Sequence, residues 1–335
     1  MQYVKFGNAG IVVSRLCLGA MNFPEVLDDQ EAQALVDEAI DHGVNFIDTA
    51  DAYGRGKSEE QLGRILPPPK RDKVIVATKF WVVMDPSDRN TGGCSRYHIM
   101  RAVEASLRRL QTDRIDLYQL HHPDPETPIE ETLSALDALV QQGKVRYIGV
   151  CNHYAWQVAH ALGVSALHNW EPFVSLQVRY NILDRAIECE IVHFCQRFNV
   201  AIMGYGPLDG GVLTGKYERG KPIPPGSRLD QIKAWQAWLT DQVFDILDEL
   251  KQIAAKYGIG LNQLAVAWTL AKPFLTTPIL GGKSANHFRP MYGLCEFQLD
   301  PADVARIDEL SADFVWKPFE NQPIVGGPSL ALNRW

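Results

Sequence analysis

The sequence predicts a (β/α)8 TIM barrel, and three observations carry that expectation. Apolar strand-like runs alternate with amphipathic helical patterns along the 335 residues, giving eight strands each trailed by a helix. No linker divides the series, so it reads as one domain over residues 1–335. No G-x-G-x-x-G follows the first strand, which counts against a doubly wound dinucleotide-binding sheet.

Residues 4–6 and 11–13, joined by Gly7-Asn8-Ala9-Gly10, read as a small hairpin capping one end of the barrel. The first barrel strand falls at 16–18 and the first helix at 29–41, stopped by Gly43. The second strand is the apolar run Val44-Asn45-Phe46-Ile47, ended by Asp48. A turn holding Tyr53, Gly54 and Gly56 follows, and Ser58 is the candidate N-cap of the next helix. Strand three covers 74–78, with Lys79 at its end and a helix over 96–110. Strand four covers 115–120 with a helix at 129–142, and strand five covers 145–150 with a helix from Ala155. Strand six covers 173–176 with a helix at 186–198, and strand seven covers 200–203. There the rhythm breaks. A segment rich in Gly and Pro, 207–240, precedes helices at 242–256 and 261–271, and strand eight falls at 277–280. The tail gives one more helix at 301–310 and then a Pro/Gly-punctuated strip suited to lie over the barrel mouth.

Composition excludes several function classes. A net charge of −7 without any Lys/Arg cluster offers no surface for nucleic acid. No apolar run approaches the ~20 residues that cross a membrane, and the N-terminus lacks a signal-peptide layout. The six cysteines include no C-x-x-C pair and read as reduced thiols, which makes the cytoplasm the expected location.

In a barrel the active site lies at the carboxyl ends of the strands. The polar residues there are Asp48 and Tyr53 after strand two, Lys79 ending strand three and His121 after strand four. Strands five, six and seven deliver Asn152, Gln177 and Tyr205. A tyrosine ordinarily titrates at ~10 and is a poor proton donor near neutrality, and a nearby ammonium lowers that value. Lys79 can supply the ammonium, Asp48 can hold it charged, and His121 can hydrogen-bond a substrate oxygen. That set suits protonating a carbonyl oxygen as hydride reaches its carbon, and it offers neither an activated nucleophile nor a metal cage. His122 beside His121 invites a metal reading, but adjacent residues at a strand end are expected to point apart. Trp81 is a candidate wall of a substrate pocket. Trp235 and Trp238 are candidates too, with one packed helix face as the alternative reading.

Asp48, Tyr53, Lys79 and His121 stand as the tetrad of the aldo-keto reductase superfamily, which this sequence resembles from about Leu16 to Phe297. The words FIDTADAYG, VIVATKF, IDLYQLHHPD, GKVRYIGVCN, LQVRYNILDR, GYGPLDGGVLTGK and ILGGKS carry the resemblance in order. It looks closest to the bacterial and plant reductase branch near the potassium-channel β subunits. The resemblance implies a nicotinamide cofactor across the barrel mouth, its carboxamide held by Asn152 and Gln177 and its ring stacked on Tyr205. Gly206, Pro207, Leu208 and Gly210, with Lys216, would fold over the pyrophosphate. Gly210 to Lys216 also scans as G-x-x-x-x-G-K, but Tyr217 stands where a P-loop needs Ser or Thr.

Two departures from the family pattern stand out. Cys151 occupies the place of the serine that often precedes the asparagine. After Gly281, the stretch with Lys283, Ser284, His287 and Arg289 is where the family binds the adenosine 2′-phosphate. The Gln or Arg followed by Glu-Asn that the family often shows there is replaced by His287-Phe288-Arg289-Pro290-Met291, which lacks the adenine-contacting asparagine. Either His287 or Arg289 fits the second donor position. Positive charge with no Asp or Glu over 281–294 favours NADP(H) over NAD(H), and the start of the following helix would add N–H donors.

The expected function is reduction of a small-molecule aldehyde or ketone, or the reverse oxidation, with no metal. A cofactor-binding regulatory or scaffold subunit is the rival reading. A barrel hydrolase using Asp48 and His121 is a third, and it leaves Tyr53 and Lys79 without roles.

Overall fold

A computed structural model describes residues 1–88 and 90–315. Two short strands, β1 (Tyr3–Lys5) and β2 (Val12–Ser14), pair antiparallel ahead of the barrel. The barrel strands are β3 (Cys17–Gly19), β4 (Phe46–Asp48), β5 (Ile75–Phe80), β6 (Ile115–Leu120), β7 (Val145–Cys151), β8 (Phe173–Arg179), β9 (Ala201–Tyr205) and β10 (Thr277–Gly281). They pair in parallel in chain order, and β10 closes the ring against both β9 and β3. The expected (β/α)8 barrel with a hairpin cap is the fold.

Alternation along each strand divides the barrel wall. Outward-facing Ile47, Val76, Tyr118, Val150 and Leu176 join the core beneath the helices. Inward-facing Phe46, Ala77, Leu117, Ala201 and Met203 form a separate core inside the barrel. Phe6 plugs that inner core from the hairpin, meeting Phe46 edge-on with ring centroids 5.5 Å apart. Burying such a ring contributes roughly 1.5–3 kcal/mol and closes the amino end of the barrel.

The helices follow their capping chemistry. Asp28 and Glu31 form a reciprocal capping box at the start of helix Asp29–Asp41. Thr240, Asp300 and Ser95 cap helices Asp241–Lys256, Pro301–Leu310 and Arg96–Leu110 through their side-chain oxygens. Ser58 does not cap its helix. Helix Lys57–Ile65 starts at Gly56, whose φ of 90° suits glycine, and buried Ser58 donates to the Ala20 carbonyl at 2.9 Å. Its hydroxyl also meets that of Thr49 at 2.8 Å, so it ties the loop after β4 to the end of β3.

The helix expected over 186–198 is divided into a 3-10 turn, Ala186–Glu188, and helix Ile191–Phe198. Glu188 is held by Arg185 at 2.9 and 2.8 Å and by the Tyr180 hydroxyl at 2.6 Å, which pins the first turn near the end of β8. Between β9 and helix Asp241–Lys256 the chain forms short turns, Asp209–Thr214, Arg228–Gln231 and Lys233–Trp238, and no strand. The strip beyond the last helix, expected over the barrel mouth, lies outside the described residues from 316 onward.

Candidate active site

Asp48 and Lys79 reach the carboxyl end of the barrel on neighbouring strands, and strand register fixes their height. Asp48 pairs with Ala77, two residues before Lys79, and Lys79 pairs with Gln119 on β6. Lys79 Nζ donates to Asp48 Oδ1 at 2.6 Å, to the Thr49 carbonyl at 2.8 Å and to the Tyr53 hydroxyl at 3.2 Å. Those three bonds occupy every donor of the ammonium. Burial works against the charge on Lys79, yet Asp48 and Tyr53 outweigh it and the amine is held well above its usual range.

Tyr53 comes in on the turn after β4, where Asp51 N–H donates to the Lys79 carbonyl at 3.2 Å and Tyr53 N–H to that of Ala50 at 3.2 Å. Its ring meets His121 edge-on, centroids 5.8 Å apart. The structure thus brings Asp48, Tyr53, Lys79 and His121 together. Burial pushes the Tyr53 phenol up to about 12, and Lys79 pulls back only part of that rise while Asp48 adds to it. Lys79 thus lowers the phenol in the expected direction, but desolvation outweighs it here and the group stays above its usual value.

Burial, then Lys79 and His122, hold the His121 imidazole well below its usual range, so it is neutral. Its buried Nδ1 has no hydrogen-bond partner among the described residues. His121 and His122 do not point apart. Their rings stack 15° from parallel with centroids 5.0 Å apart, because both lie beyond the end of β6 and strand alternation no longer governs them. Among the described residues no three His, Cys, Asp or Glu side chains gather as metal ligands.

Trp81 lies against His122 with centroids 5.0 Å apart, and its backbone φ of 145° is strained for a residue with a side chain. Its buried Nε1 also lacks a partner among the described residues. Trp235 and Trp238 stack on each other in a 3-10 turn, centroids 4.6 Å apart, with the Arg179 guanidinium over Trp238. Both are half-buried, and Trp235 packs against the core beneath the helices, in keeping with the packed-face alternative.

The residues expected at the cofactor lie around the same mouth. Asn152, at a φ of 59°, donates to the His121 carbonyl at 3.0 Å and accepts from the Tyr205 hydroxyl at 3.0 Å. Gln177 Nε2 donates to Asp48 Oδ2 at 3.0 Å, and the Cys151 thiol reaches Gln119 Oε1 at 3.8 Å. The loop over 206–210 is pinned by an ion pair between Arg179 and Asp209 and by Asn181 Nδ2, which donates to the Gly206 carbonyl at 2.9 Å. Pro207 is buried in it, and Leu208 packs against the core. Lys216 is exposed and folds back on this loop: a Cβ at Gly211 would sit 2.5 Å from its Nζ.

β10 ends at exposed Gly281, and beyond it Lys283 Nζ meets the Gly226 carbonyl at 3.3 Å. His287 Nδ1 accepts from the Lys283 N–H at 3.3 Å. Arg289 turns away, giving Glu38 of helix Asp29–Asp41 two bonds of 2.8 and 2.7 Å. A carboxylate therefore enters this region from elsewhere in the chain, a pairing that a local reading of 281–294 could not reveal. The helix after Ser284 is one turn long, Ala285–Phe288, so the expected row of N–H donors is short. Gln119, Arg179 and Asn181 were not foreseen in the sequence, and Asp209 was placed in the loop without a role of its own. Their signal was an inward polar residue on a strand, or a charge flanking the Gly-rich loop.

Comparison with known proteins agrees with this architecture. The Aldo/keto reductase family model matches residues 15–312. The chain is 35% identical over 319 residues to the uncharacterized oxidoreductase YrpG of Bacillus subtilis (strain 168), covering 92% of this chain and 96% of that protein. It is 31% identical over 333 residues to the versiconal hemiacetal acetate reductase of Aspergillus parasiticus, again covering 92% and 96%. It is also 36% identical over 289 residues to a probable voltage-gated potassium channel subunit beta of Arabidopsis thaliana, covering 84% and 87%. A family model spanning the barrel from before β3 to beyond the last helix leaves one conclusion: the chain belongs to the aldo/keto reductase family.

Proposed function

We propose that the protein reduces the carbonyl of a small aldehyde or ketone to an alcohol, or runs the reverse oxidation, with NADP(H) as cofactor. The observation that carries this reading is the direction of one hydrogen bond. Lys79 donates to the Tyr53 oxygen at 3.2 Å, so the phenol keeps its own proton to give to a substrate oxygen. Neutral His121 offers that oxygen a second polar contact and fixes the carbonyl's orientation. Asp48 holds the ammonium in place beneath the phenol.

The side chains present suit a nicotinamide cofactor. Tyr205 offers an aromatic face, Asn152 and Gln177 offer amides, and Lys216 and Lys283 offer positive charge for phosphates. When bound, the reduced nicotinamide supplies the hydride. Trp81 would wall the substrate side, its strained backbone and an indole N–H without a partner among the described residues marking a position shaped for more than packing. The relatives named oxidoreductase and reductase support the same chemistry. Six free thiols suit a reducing compartment, and we place the protein in the cytoplasm. No helix among the described residues is long and apolar enough to cross a membrane.

The relatives named potassium channel subunit beta favour a second reading, a cofactor-binding regulatory subunit near that branch of the family. A panel of aldehydes, ketones and sugars with NADPH, followed by its absorbance, separates the two. Turnover that Tyr53→Phe abolishes supports the reductase. Tight NADPH binding without turnover on any carbonyl supports the subunit instead.

A further inference from the structure

We infer that Gln119 is a positioning residue, an amide that shares the second oxygen of Asp48 with Gln177 and so sets how much of the Lys79 charge reaches Tyr53. This inference rests on the reductase reading above. Asp48 Oδ1 is taken by Lys79, which leaves Oδ2 for two uncharged donors. Gln177 Nε2 lies 3.0 Å from Oδ2 and Gln119 Nε2 lies 3.4 Å from it. The acceptor end of Gln119 is also occupied, by the Cys151 thiol at 3.8 Å and by Gln177 Nε2 at 3.5 Å. The chain Cys151–Gln119–Asp48–Lys79–Tyr53 is thus connected by hydrogen bonds from β7 to the turn after β4.

Two features set this amide apart from a space-filling side chain. Gln119 is fully buried inside the barrel wall, where an unbonded amide costs about 1–3 kcal/mol and an apolar residue costs nothing. Its partner on β7 is Gly149, where a Cβ would clash with Ser175 Oγ at 2.4 Å and touch Gln119 Cγ at 3.4 Å. The bare backbone of Gly149 lets β7 and β8 approach beside the amide, which reaches Asp48 Oδ2 from β6.

The consequence is electrostatic. Lys79 lowers the proton affinity of Tyr53 and Asp48 raises it, so their balance at the phenol decides how readily it releases a proton. Neutral donors at Oδ2 draw the carboxylate's charge away from Oδ1 and leave more of the ammonium's field for the phenol. Taking Gln119 away tightens Asp48 onto Lys79 and makes Tyr53 harder to deprotonate.

The test compares the parent with Gln119→Met, which keeps length and removes both polar ends, and Gln119→Glu, which keeps shape and adds a carboxyl. The pH–rate profile is measured for alcohol oxidation with saturating NADP⁺, alongside NADPH affinity by fluorescence titration. Gln119→Met is expected to move the ionisation limb up by about half to one pH unit, lowering the rate below the limb about three- to tenfold. Gln119→Glu moves it further, and NADPH affinity stays within about twofold in both. A limb that stays in place in either folded variant overturns the inference, because a merely structural role changes stability and leaves the limb where it was. Should Gln119→Met fail to fold, the Glu variant decides alone. A parent without Tyr53-dependent turnover removes the reductase reading and this inference together. A parent that has it, with a limb indifferent to Gln119, removes the inference alone.

Discussion

Lys79 meets Asp48 at 2.6 Å with its side chain wholly out of solvent and that of Asp48 only 3% exposed. An ion pair so deeply buried is a weak stabiliser, since desolving both charges offsets most of their attraction, yet breaking one partner strands the other. Lys79→Met is therefore expected to cost roughly 3–5 kcal/mol in urea unfolding, and the double variant Asp48→Leu/Lys79→Met less than either single change. Both lose turnover. A double variant at least as unstable as the sum of its parts would mean that the pair exists for stability rather than chemistry.

Tyr53→Phe removes one oxygen and leaves the ring that meets His121. In the proposed reaction the lost group would act where charge develops, so kcat is expected to fall by roughly 10²–10⁴-fold, with cofactor affinity little changed. Single-turnover kinetics with NADPH make the comparison. A variant retaining near-normal kcat would remove Tyr53 from the proton-donor role.

The tetrad was legible because its four residues follow three consecutive strands, and a buried strand announces its own end. The helices at Arg96–Leu110, Leu261–Ala271 and Pro301–Leu310 were legible for the related reason that apolar periodicity and caps agree there. Ser58 misled because a serine before a helical run resembles a cap in sequence. Only the fold shows that its hydroxyl is drawn to Ala20 and Thr49. Arg289 was read from its neighbours, whereas its partner Glu38 lies 251 positions away. Long-range pairings and the direction of side chains beyond a strand end, as at His122, depend on tertiary contacts that no local pattern encodes.

Asp51 presents a pH dependence of stability. Neither of its carboxylate oxygens has a side-chain hydrogen-bond partner among the described residues. Burial raises its pKa to about 7, with Glu59 adding to the rise and Arg109 opposing it. In the unfolded chain an aspartate titrates near ~3.9, so between pH ~4 and ~7 the folded state holds the extra proton. Stability then falls as pH rises through that window and levels off above it. Asp51→Asn cannot lose a proton, so it is expected to flatten this slope and to be more stable than the parent at pH 8 by on the order of 1–3 kcal/mol. Urea midpoints at pH 5 and pH 8 for both proteins decide this, and parallel pH profiles would show that Asp51 titrates normally.

For the proposed reductase, a choice between NADP(H) and NAD(H) would turn on which charges remain available after β10. Arg289 is already matched by Glu38 through two hydrogen bonds and by Asn286 at 2.7 Å, so its charge is locally compensated. Among the described residues Lys283 Nζ meets only the Gly226 carbonyl at 3.3 Å, and the Ser284 side chain makes no capping bond. A 2′-phosphate would gain charge-assisted hydrogen bonds from these two at little cost, whereas recruiting Arg289 means breaking its pair with Glu38. NADPH is therefore expected to be the preferred cofactor. Lys283→Ala should lower kcat/KM for NADPH by about 10–100-fold while changing NADH less than about threefold. Arg289→Ala should change the NADPH value less than about threefold, because its charge is spent on Glu38. Equal use of the two cofactors by the parent, or a loss on Lys283→Ala shared by both, would remove Lys283 from the phosphate site. A selective loss on Arg289→Ala would instead mean that the guanidinium leaves Glu38 when the cofactor binds.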